Sequence, residues 1–198
     1  MSQVVLLAGS PSATSKSTQL LDVAALLLSS YGLKVVRFGL DDFPAEDLLY
    51  ARWHSPAVKA FNQAIADSAG LIVATPVYKA AYSGAVKTVL DLLPERALEQ
   101  KVALALATGG SLGHLLAVDY ALQPVLSALK ARHIIGGVYA SDSDFSKLDN
   151  GKHAFNSEIE QRLQAAVARF IAHLPNPGHA QLQGQDLSRQ VQAAQISI

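Results

Sequence analysis

Three short segments, each directly after an apolar run, carry the residues of this chain that suit the binding of a phosphorylated ring. The first runs from Gly9 to Thr18 and is rich in hydroxyl groups at the start of a predicted helix. The second runs from Thr75 to Gly84, and the third is Thr108 to Gly110. These two offer backbone amides, a tyrosine ring and little side-chain bulk, which suit a flat heterocycle. We call the segments loop 1, loop 2 and loop 3.

Loop 1 has the composition of an anion site. A helix N-terminus presents unpaired amide donors and about half a positive charge, and nearby hydroxyls add donors. A single serine would be an ordinary helix cap, whereas four hydroxyls favour phosphate. The candidate phosphate ligands are Ser10, Ser15, Ser17 and Thr18, with Lys16 as a charge partner. The glycines of a Walker A motif and of a G-x-G-x-x-G fingerprint are absent, so the loop predicts a monophosphate site rather than an ATP or a tight NAD site.

Loops 2 and 3 suit the ring of such a ligand. Bare backbone can approach a ring closely, although a glycine turn before a helix would have the same composition. An isoalloxazine also explains the lack of an acid/base dyad, because hydride passes directly from a nicotinamide to the flavin. We therefore predict FMN as cofactor and NADPH or NADH as hydride donor. The candidate FMN ligands here are Pro76, Val77, Tyr78, Lys79, Ser83, Thr108, Gly109, Gly110 and His114.

Composition argues against several other classes of protein. Lysine plus arginine equal aspartate plus glutamate at 16 each, so the chain has no electrostatic footprint for nucleic acid. It has no cysteine, and its six histidines lack metal-ligand spacing, so we predict no metal site. No apolar run approaches the roughly 20 residues that span a bilayer, and no signal peptide is evident. These features predict a cytoplasmic protein with no membrane partner.

Alternating apolar and amphipathic stretches predict five strands and five helices. Residues 41–50 are predicted to be a loop or short turn, and 141–152 a loop. The predicted strands span 4–8, 33–38, 71–74, 102–107 and 134–140. The predicted helices run from a cap at Ser17 or Thr18 to 31, from a cap at Ser55 to 69, over 84–93, over 114–131 with a bend near Pro124, and over 157–174 with Ser157 as cap.

This alternation predicts an α/β fold, a flavodoxin-like doubly wound five-stranded parallel sheet of order 2-1-3-4-5 with helices on both faces. Loops 1, 2 and 3 follow strands one, three and four, so that order gathers them at the carboxyl edge of the sheet. The predicted organisation is one FMN-binding domain over 1–174 and a C-terminal tail over 175–198.

At these loops the chain resembles the NADPH-dependent FMN reductase family, and most closely the reductase components of two-component alkanesulfonate monooxygenase systems. The general signature is Gly-Ser-Pro at residues 9–11, Thr-Pro-x-Tyr at 75–78 with Ser-Gly at 83–84, and Thr-Gly-Gly at 108–110. The narrower resemblance extends over 46–52, 78–96 and 114–130.

The resemblance implies the flavodoxin-like fold and FMN at the three loops. We also predict a homodimer or homotetramer, because an open flavin edge would otherwise leave apolar surface exposed. The resemblance further implies transfer of reduced FMN to a partner flavin-dependent monooxygenase that desulfonates alkanesulfonates during sulfur limitation. The nearly sulfur-free composition, with Met1 as the single methionine, agrees with that setting. Members carry a tyrosine in the fourth helix that produces a π-bulge at the subunit interface and flavin site. Tyr120 matches it and is the one candidate catalytic residue.

One departure from the family pattern concerns the phosphate site. Many members have arginine where this chain has Ser12, so we expect weaker phosphate binding, or a substitute charge from Lys16. Two alternatives remain open from the sequence. One is a reductase of quinones or azo compounds with prosthetic FMN, and the other is a flavodoxin-like electron carrier, which the zero net charge disfavours.

Overall fold

Parallel strands form the sheet at the centre of the computed structural model, which describes residues 2–12, 14–147 and 153–175. The strands are β1 (Gln3–Ala8), β2 (Lys34–Gly39), β3 (Gly70–Tyr78), the short β4 (Ala81–Tyr82), β5 (Val102–Gly109) and β6 (His133–Ser141). Their order is β2-β1-β3-β5-β6, with β4 antiparallel to β3. The predicted order of the five main strands is confirmed.

The central strands are buried because their apolar runs are covered on both faces, as in other parallel sheets. β3 is longer than predicted and takes in the first part of loop 2. Pro76 pairs with Thr108 of β5, and Val77 pairs with Tyr82 of β4. Loop 2 is therefore a β-hairpin that continues the sheet rather than an irregular loop.

Helices cover both faces of the sheet, as predicted. α1 (Lys16–Ser30) and the last helix, α6 (Ser157–His173), enclose one apolar core, in which Leu20 and Phe170 are fully buried. The other core lies under the remaining helices and includes Phe61 and Val89. Those helices are α2 (Ala45–Leu49), α3 (Pro56–Ala66), α4 (Gly84–Leu90) and α5 (Gln123–Ala128). None of the described helices is both long enough and apolar enough to span a bilayer.

Two of the three predicted helix caps are wrong. α1 is capped by Ser15, whose Oγ accepts a hydrogen bond from the Thr18 amide at 3.1 Å, so Ser17 and Thr18 lie inside the first turn. α6 is capped by Asn156 rather than Ser157. The cap at Ser55 is confirmed, and the proline that follows it occupies the first turn of α3.

The segment predicted as one bent helix over 114–131 is three pieces. A 3₁₀ turn (Leu112–His114) is followed by a π-helical turn (Val118–Leu122), and α5 begins directly after it. Pro124 lies in the first turn of α5, directly after the π-turn. The interruption near this proline was predicted, and the structure shows that a π-turn forms it.

Both stretches predicted to be irregular contain regular structure. Residues 41–50 contain the end of a 3₁₀ turn (Leu40–Asp42) and α2. After β6, a 3₁₀ turn (Asp142–Asp144) leads into the hairpin of β7 (Phe145–Lys147) and β8 (His153–Phe155). Residues 148–152 lie outside the described part of the chain, as does the predicted tail beyond Pro175.

The tip of the β3–β4 hairpin has a left-handed backbone without glycine. Lys79 and Ala80 have φ angles of 51° and 64°. Residues other than glycine adopt this conformation at a cost of roughly 1–2 kcal/mol each, because Cβ approaches the following carbonyl oxygen. Two such residues in succession make this turn a strained element of loop 2.

We expect Ala80→Gly to raise the free energy of unfolding by about 1 kcal/mol, because glycine adopts positive φ without a Cβ penalty. Ala60→Gly, at an exposed position within α3, is the matched control and should lower it by about 1 kcal/mol. Urea denaturation followed by circular dichroism measures both. Destabilisation by Ala80→Gly equal to that of the control would show that the turn is not strained.

Candidate functional site

The strand order brings the three loops to one edge of the sheet. β1, β3 and β5 are neighbours and run parallel, so the loops that follow them emerge side by side. The Gly9 amide donates a hydrogen bond to the Ala74 carbonyl at 2.7 Å, which joins loop 1 to β3. A Cβ placed on Gly109 would lie 3.3 Å from Cβ of Val77, so loops 2 and 3 are also in contact.

Ser83 is the junction between loops 1 and 2. Its Oγ donates to the Gly9 carbonyl at 2.5 Å and accepts from the Val86 amide at 3.2 Å, which caps α4. Its own amide donates to Oγ1 of Thr75 at 2.9 Å. The residue is 1% exposed. The structure therefore shows a structural role for the Ser83 hydroxyl, and the contact with FMN predicted for Ser83 stays a prediction.

Gly9 has no room for a side chain. A Cβ there would lie 2.6 Å from Cγ2 of Val86 and 2.9 Å from the Ala74 carbonyl oxygen. Loop 1 can therefore pack directly on α4 and β3 only because this residue is glycine. The sequence motif placed a glycine here, and the tertiary contact supplies the physical reason for it.

The hydroxyls of loop 1 gather at the N-terminus of α1. Oγ of Ser15 lies 2.8 Å from Oγ1 of Thr18 and 3.1 Å from Oγ of Ser17. Oγ of Ser10 accepts a hydrogen bond from the Ser12 amide at 3.1 Å. The hydroxyls of Ser15, Ser17 and Thr18 thus form one cluster beside the positive end of a helix dipole, and Ser10 lies earlier in the same loop. Ser17 and Thr18 are buried within it.

Lys16 has a partner that the sequence did not predict. Its Nζ lies 2.7 Å from Oδ1 of Asp142, which follows β6, and 5.2 Å from the centre of the Phe145 ring. The predicted role of Lys16 was a charge partner for phosphate. In the structure its charge is paired with a carboxylate, and its contact with phosphate stays a prediction.

Loop 3 rests on a buried tyrosine. The hydroxyl of Tyr139 donates to the Ser111 carbonyl at 2.5 Å, and a Cβ on Gly109 would lie 2.7 Å from that hydroxyl oxygen. Burial raises the pKa of Tyr139, and the charge of Asp142 raises it further. The hydroxyl therefore remains a protonated donor that holds the loop in place.

His114 carries an unsatisfied polar atom at the site. Within the described residues its Nδ1 is buried without a hydrogen-bond partner, and it would lie 3.4 Å from a Cβ on Gly109. Buried nitrogens normally have partners, so this one marks a position where a bound group can be recognised. The sequence singled out His114 only by its place at a predicted helix start.

Tyr78 and Tyr120 lie at the rim of this edge of the sheet. Tyr78 is 53% exposed beside the strained turn of Lys79, and β4 contacts the π-turn (Val118–Leu122). Tyr120 lies within that π-turn, so the predicted π-bulge is confirmed. Its side chain is 79% exposed and is free to meet another molecule. π-turns often occur at functional sites.

A cavity beside loop 1 was not predicted. It has a volume of about 550 Å³ and is lined by Ser10, Thr18 and the loop after β2. Arg37 and Asp22 also line it and form an ion pair, with Nη1 2.6 Å from Oδ1. Arg37 lies on β2 and Asp22 on α1, so no local sequence pattern connects them.

The sequence matches a known family of proteins. Residues 2–146 match the model of the family described as NADPH-dependent FMN reductase. An FMN reductase (NADPH) of Escherichia coli is 54% identical over 168 residues, or 85% of this chain and 87% of that protein. An FMN reductase (NADPH) of Pseudomonas putida is 51% identical over 178 residues, which cover 88% of this chain and 90% of that protein. The chain belongs to the NADPH-dependent FMN reductase family.

A solved structure supports the same assignment. The apo form of an NADH:FMN oxidoreductase (EMOB) superposes with a TM-score of 0.80 at 34% identity, covering 90% of this chain and 92% of that one. The family and its relatives establish the enzyme class of the chain as an NAD(P)H-dependent FMN reductase.

The residues present fit the FMN of such a reductase. The hydroxyl cluster at the N-terminus of α1 suits a phosphate, and the bare backbone at Gly109 leaves space that a Cβ would fill. The unpartnered Nδ1 of His114 offers a polar contact at the same edge. Each predicted ligand lies in or beside one of the three adjoining loops, and their contacts with FMN stay predictions.

We expect Ser83→Ala to lower the free energy of unfolding by about 2 kcal/mol, because it removes both a helix cap and a buried hydrogen bond between loops. Ser55→Ala is the matched control, since Ser55 caps α3 through the Val58 amide alone. Ser55→Ala should lower the free energy of unfolding by about 1 kcal/mol. Denaturant titration of both variants measures the difference, and equal losses would argue against a role for the bond to Gly9.

Proposed function

We propose that this FMN reductase binds FMN as an exchangeable substrate, reduces it with NADPH or NADH, and releases reduced flavin to a partner monooxygenase that desulfonates alkanesulfonates. The observation that carries the proposal is that the hydroxyl cluster of α1 and the bare backbone of Gly109 lie at the same edge of the sheet. That pairing offers a phosphate site and a ring site on one surface.

The roles of the residues follow from their positions. Ser10, Ser15, Ser17 and Thr18 would hold the phosphate with the first amides of α1. Bound FMN supplies the redox chemistry by accepting hydride directly from a nicotinamide. The task of the protein is therefore to bind and orient. Residues 76–79 would contact the ribityl chain and ring, and the backbone of 108–110 would stabilise negative charge at the ring edge.

The make-up of the phosphate site supports release of reduced flavin. Ser12 replaces the arginine of many family members, and Lys16 is paired with Asp142 rather than free. The phosphate site thus relies on hydroxyls, amides and the helix dipole, which bind less tightly than a bidentate guanidinium.

The inference of an alkanesulfonate monooxygenase as partner is based on two sequence features. The chain resembles the reductase components of alkanesulfonate monooxygenase systems over 46–52, 78–96 and 114–130. It has no cysteine and one methionine, which suits a protein made when sulfur is scarce. Together these support a partner enzyme that releases sulfite from alkanesulfonates.

An exposed apolar stripe supports association of the reductase with a second copy of itself. Leu112, Leu116 and Tyr120 are spaced four residues apart and are 72%, 57% and 79% exposed. They run along the segment that holds the π-turn, beside β4 of loop 2. Pairing of this stripe across a two-fold axis would cover the apolar surface and bring Tyr120 to the interface.

The flavin-as-substrate proposal predicts that purified, flavin-stripped protein oxidises NADPH in air only when FMN is added, with a rate that saturates at micromolar FMN. Absorbance at the nicotinamide band measures the rate, and the same protein without flavin is the control. Flavin retained through gel filtration, with turnover of a quinone by ping-pong kinetics, would instead indicate a prosthetic flavin. A stable semiquinone without turnover would indicate an electron carrier.

The oligomer proposal predicts that Leu116→Asp lowers the molar mass in solution to that of a monomer, because a buried unpaired carboxylate opposes association. Leu26→Asp is the control, since Leu26 is 71% exposed on α1 and lies outside the stripe. It should leave the mass unchanged. Sedimentation velocity measures both variants, and an unchanged mass for Leu116→Asp would contradict the proposed interface.

A further inference from the structure

Two basic side chains beside loop 1 are each paired with a carboxylate. Nζ of Lys16 lies 2.7 Å from Oδ1 of Asp142, and Nη1 of Arg37 lies 2.6 Å from Oδ1 of Asp22. The residue that follows the Gly-Ser-Pro motif of loop 1 is Ser12, which carries no charge. A phosphate placed at the N-terminus of α1 would therefore meet two neutralised cations rather than free ones.

Asp142 is held in place by the turn that it begins. Two residues later, the Asp144 carboxylate accepts hydrogen bonds from the amide and the hydroxyl of Ser141, both at 2.7 Å, and from Nδ2 of Asn156 at 3.0 Å. These bonds lower the pKa of Asp144, so the turn stays intact at neutral pH. Oδ2 of Asp142 would lie 3.8 Å from a Cβ on Gly110, so this carboxylate faces loop 3 as well as loop 1.

Lys16 is held from the other side by the β7–β8 hairpin. Its ammonium lies over the Phe145 ring, which in turn makes edge contacts with Phe155 and His153. The hairpin is tied to α1, because Oε1 of Gln19 accepts from the His153 amide at 2.9 Å. The lysine therefore has both an ionic partner and an aromatic surface that draw it away from the hydroxyl cluster.

We propose that Asp142 sets the affinity of the reductase for the flavin phosphate. It does so by holding Lys16 in an ion pair and by adding a negative charge beside loops 1 and 3. A phosphate monoester carries a charge of about −1.5 to −2 at neutral pH, so it is repelled by this carboxylate and gains little from a neutralised lysine. The inference deepens the proposed function, on which it rests, because it names a residue that keeps FMN exchangeable.

The test compares FMN with riboflavin, which has the same ring and no phosphate. Asp142→Asn should lower the dissociation constant for FMN by about three- to tenfold, because Asp142 is 61% exposed and solvent screens part of its field. The constant for riboflavin should not change. Quenching of flavin fluorescence measures both constants without turnover. The gain for FMN should shrink as salt rises toward 1 M, where the Debye length is about 3 Å.

Two further variants isolate the cause. Glu99→Gln removes the carboxylate of another exposed ion pair, which Glu99 forms with Arg96 shortly before β5 begins. This variant should leave the dissociation constants for FMN and riboflavin unchanged. Lys16→Met in the Asp142→Asn background should reverse most of the decrease in the dissociation constant for FMN, because the lysine that Asp142→Asn frees for the phosphate is no longer present. Circular dichroism confirms that each variant keeps its fold.

The outcomes separate this inference from the proposed function. Tighter FMN binding in Asp142→Asn, with riboflavin unchanged and reversal by Lys16→Met, supports it. An unchanged ratio of the two constants, or equal tightening of FMN and riboflavin, overturns it while leaving the proposed function intact. Absence of FMN binding by the unsubstituted protein overturns both.

Discussion

The hydrogen bond from the Ser83 hydroxyl to the Gly9 carbonyl is the contact on which the geometry of the site depends. It ties the end of β1 to the start of α4, and the same oxygen caps that helix. The contact forms because Gly9 lacks a side chain that would meet Val86. The Ser83 hydroxyl, the lack of a side chain at Gly9 and the parallel pairing of β1 with β3 together bring loop 1 against loop 2.

The polar groups at the candidate site are neutral hydrogen-bond donors rather than unpaired cations. The chain carries equal numbers of acidic and basic residues, and Lys16 and Arg37 beside loop 1 are paired. In the proposed site, attraction for a phosphate would then come from hydroxyls, amides and the dipole of α1, which act over short distances.

Local signals predicted some boundaries and missed others for identifiable reasons. Ser55 followed by proline predicted a cap that the structure confirms, because that pair allows one alignment of the helix start. In loop 1 the four hydroxyl residues Thr14, Ser15, Ser17 and Thr18 can each cap a helix, so only the backbone conformation identifies Ser15 as the cap. The β3–β4 turn was missed because Lys79 and Ala80 lack the asparagine and glycine typical of that turn.

The sequence by itself determined the alternation of strands and helices, the order of the sheet and the edge at which the three loops meet, because periodicity and right-handed crossovers allow few other arrangements. The resemblance located the π-turn at Tyr120. Only the tertiary structure decided the partner of Lys16, which lies 126 residues away at Asp142, and the support of loop 3 by Tyr139. Side-chain pairing between distant elements depends on packing, and no local pattern encodes it.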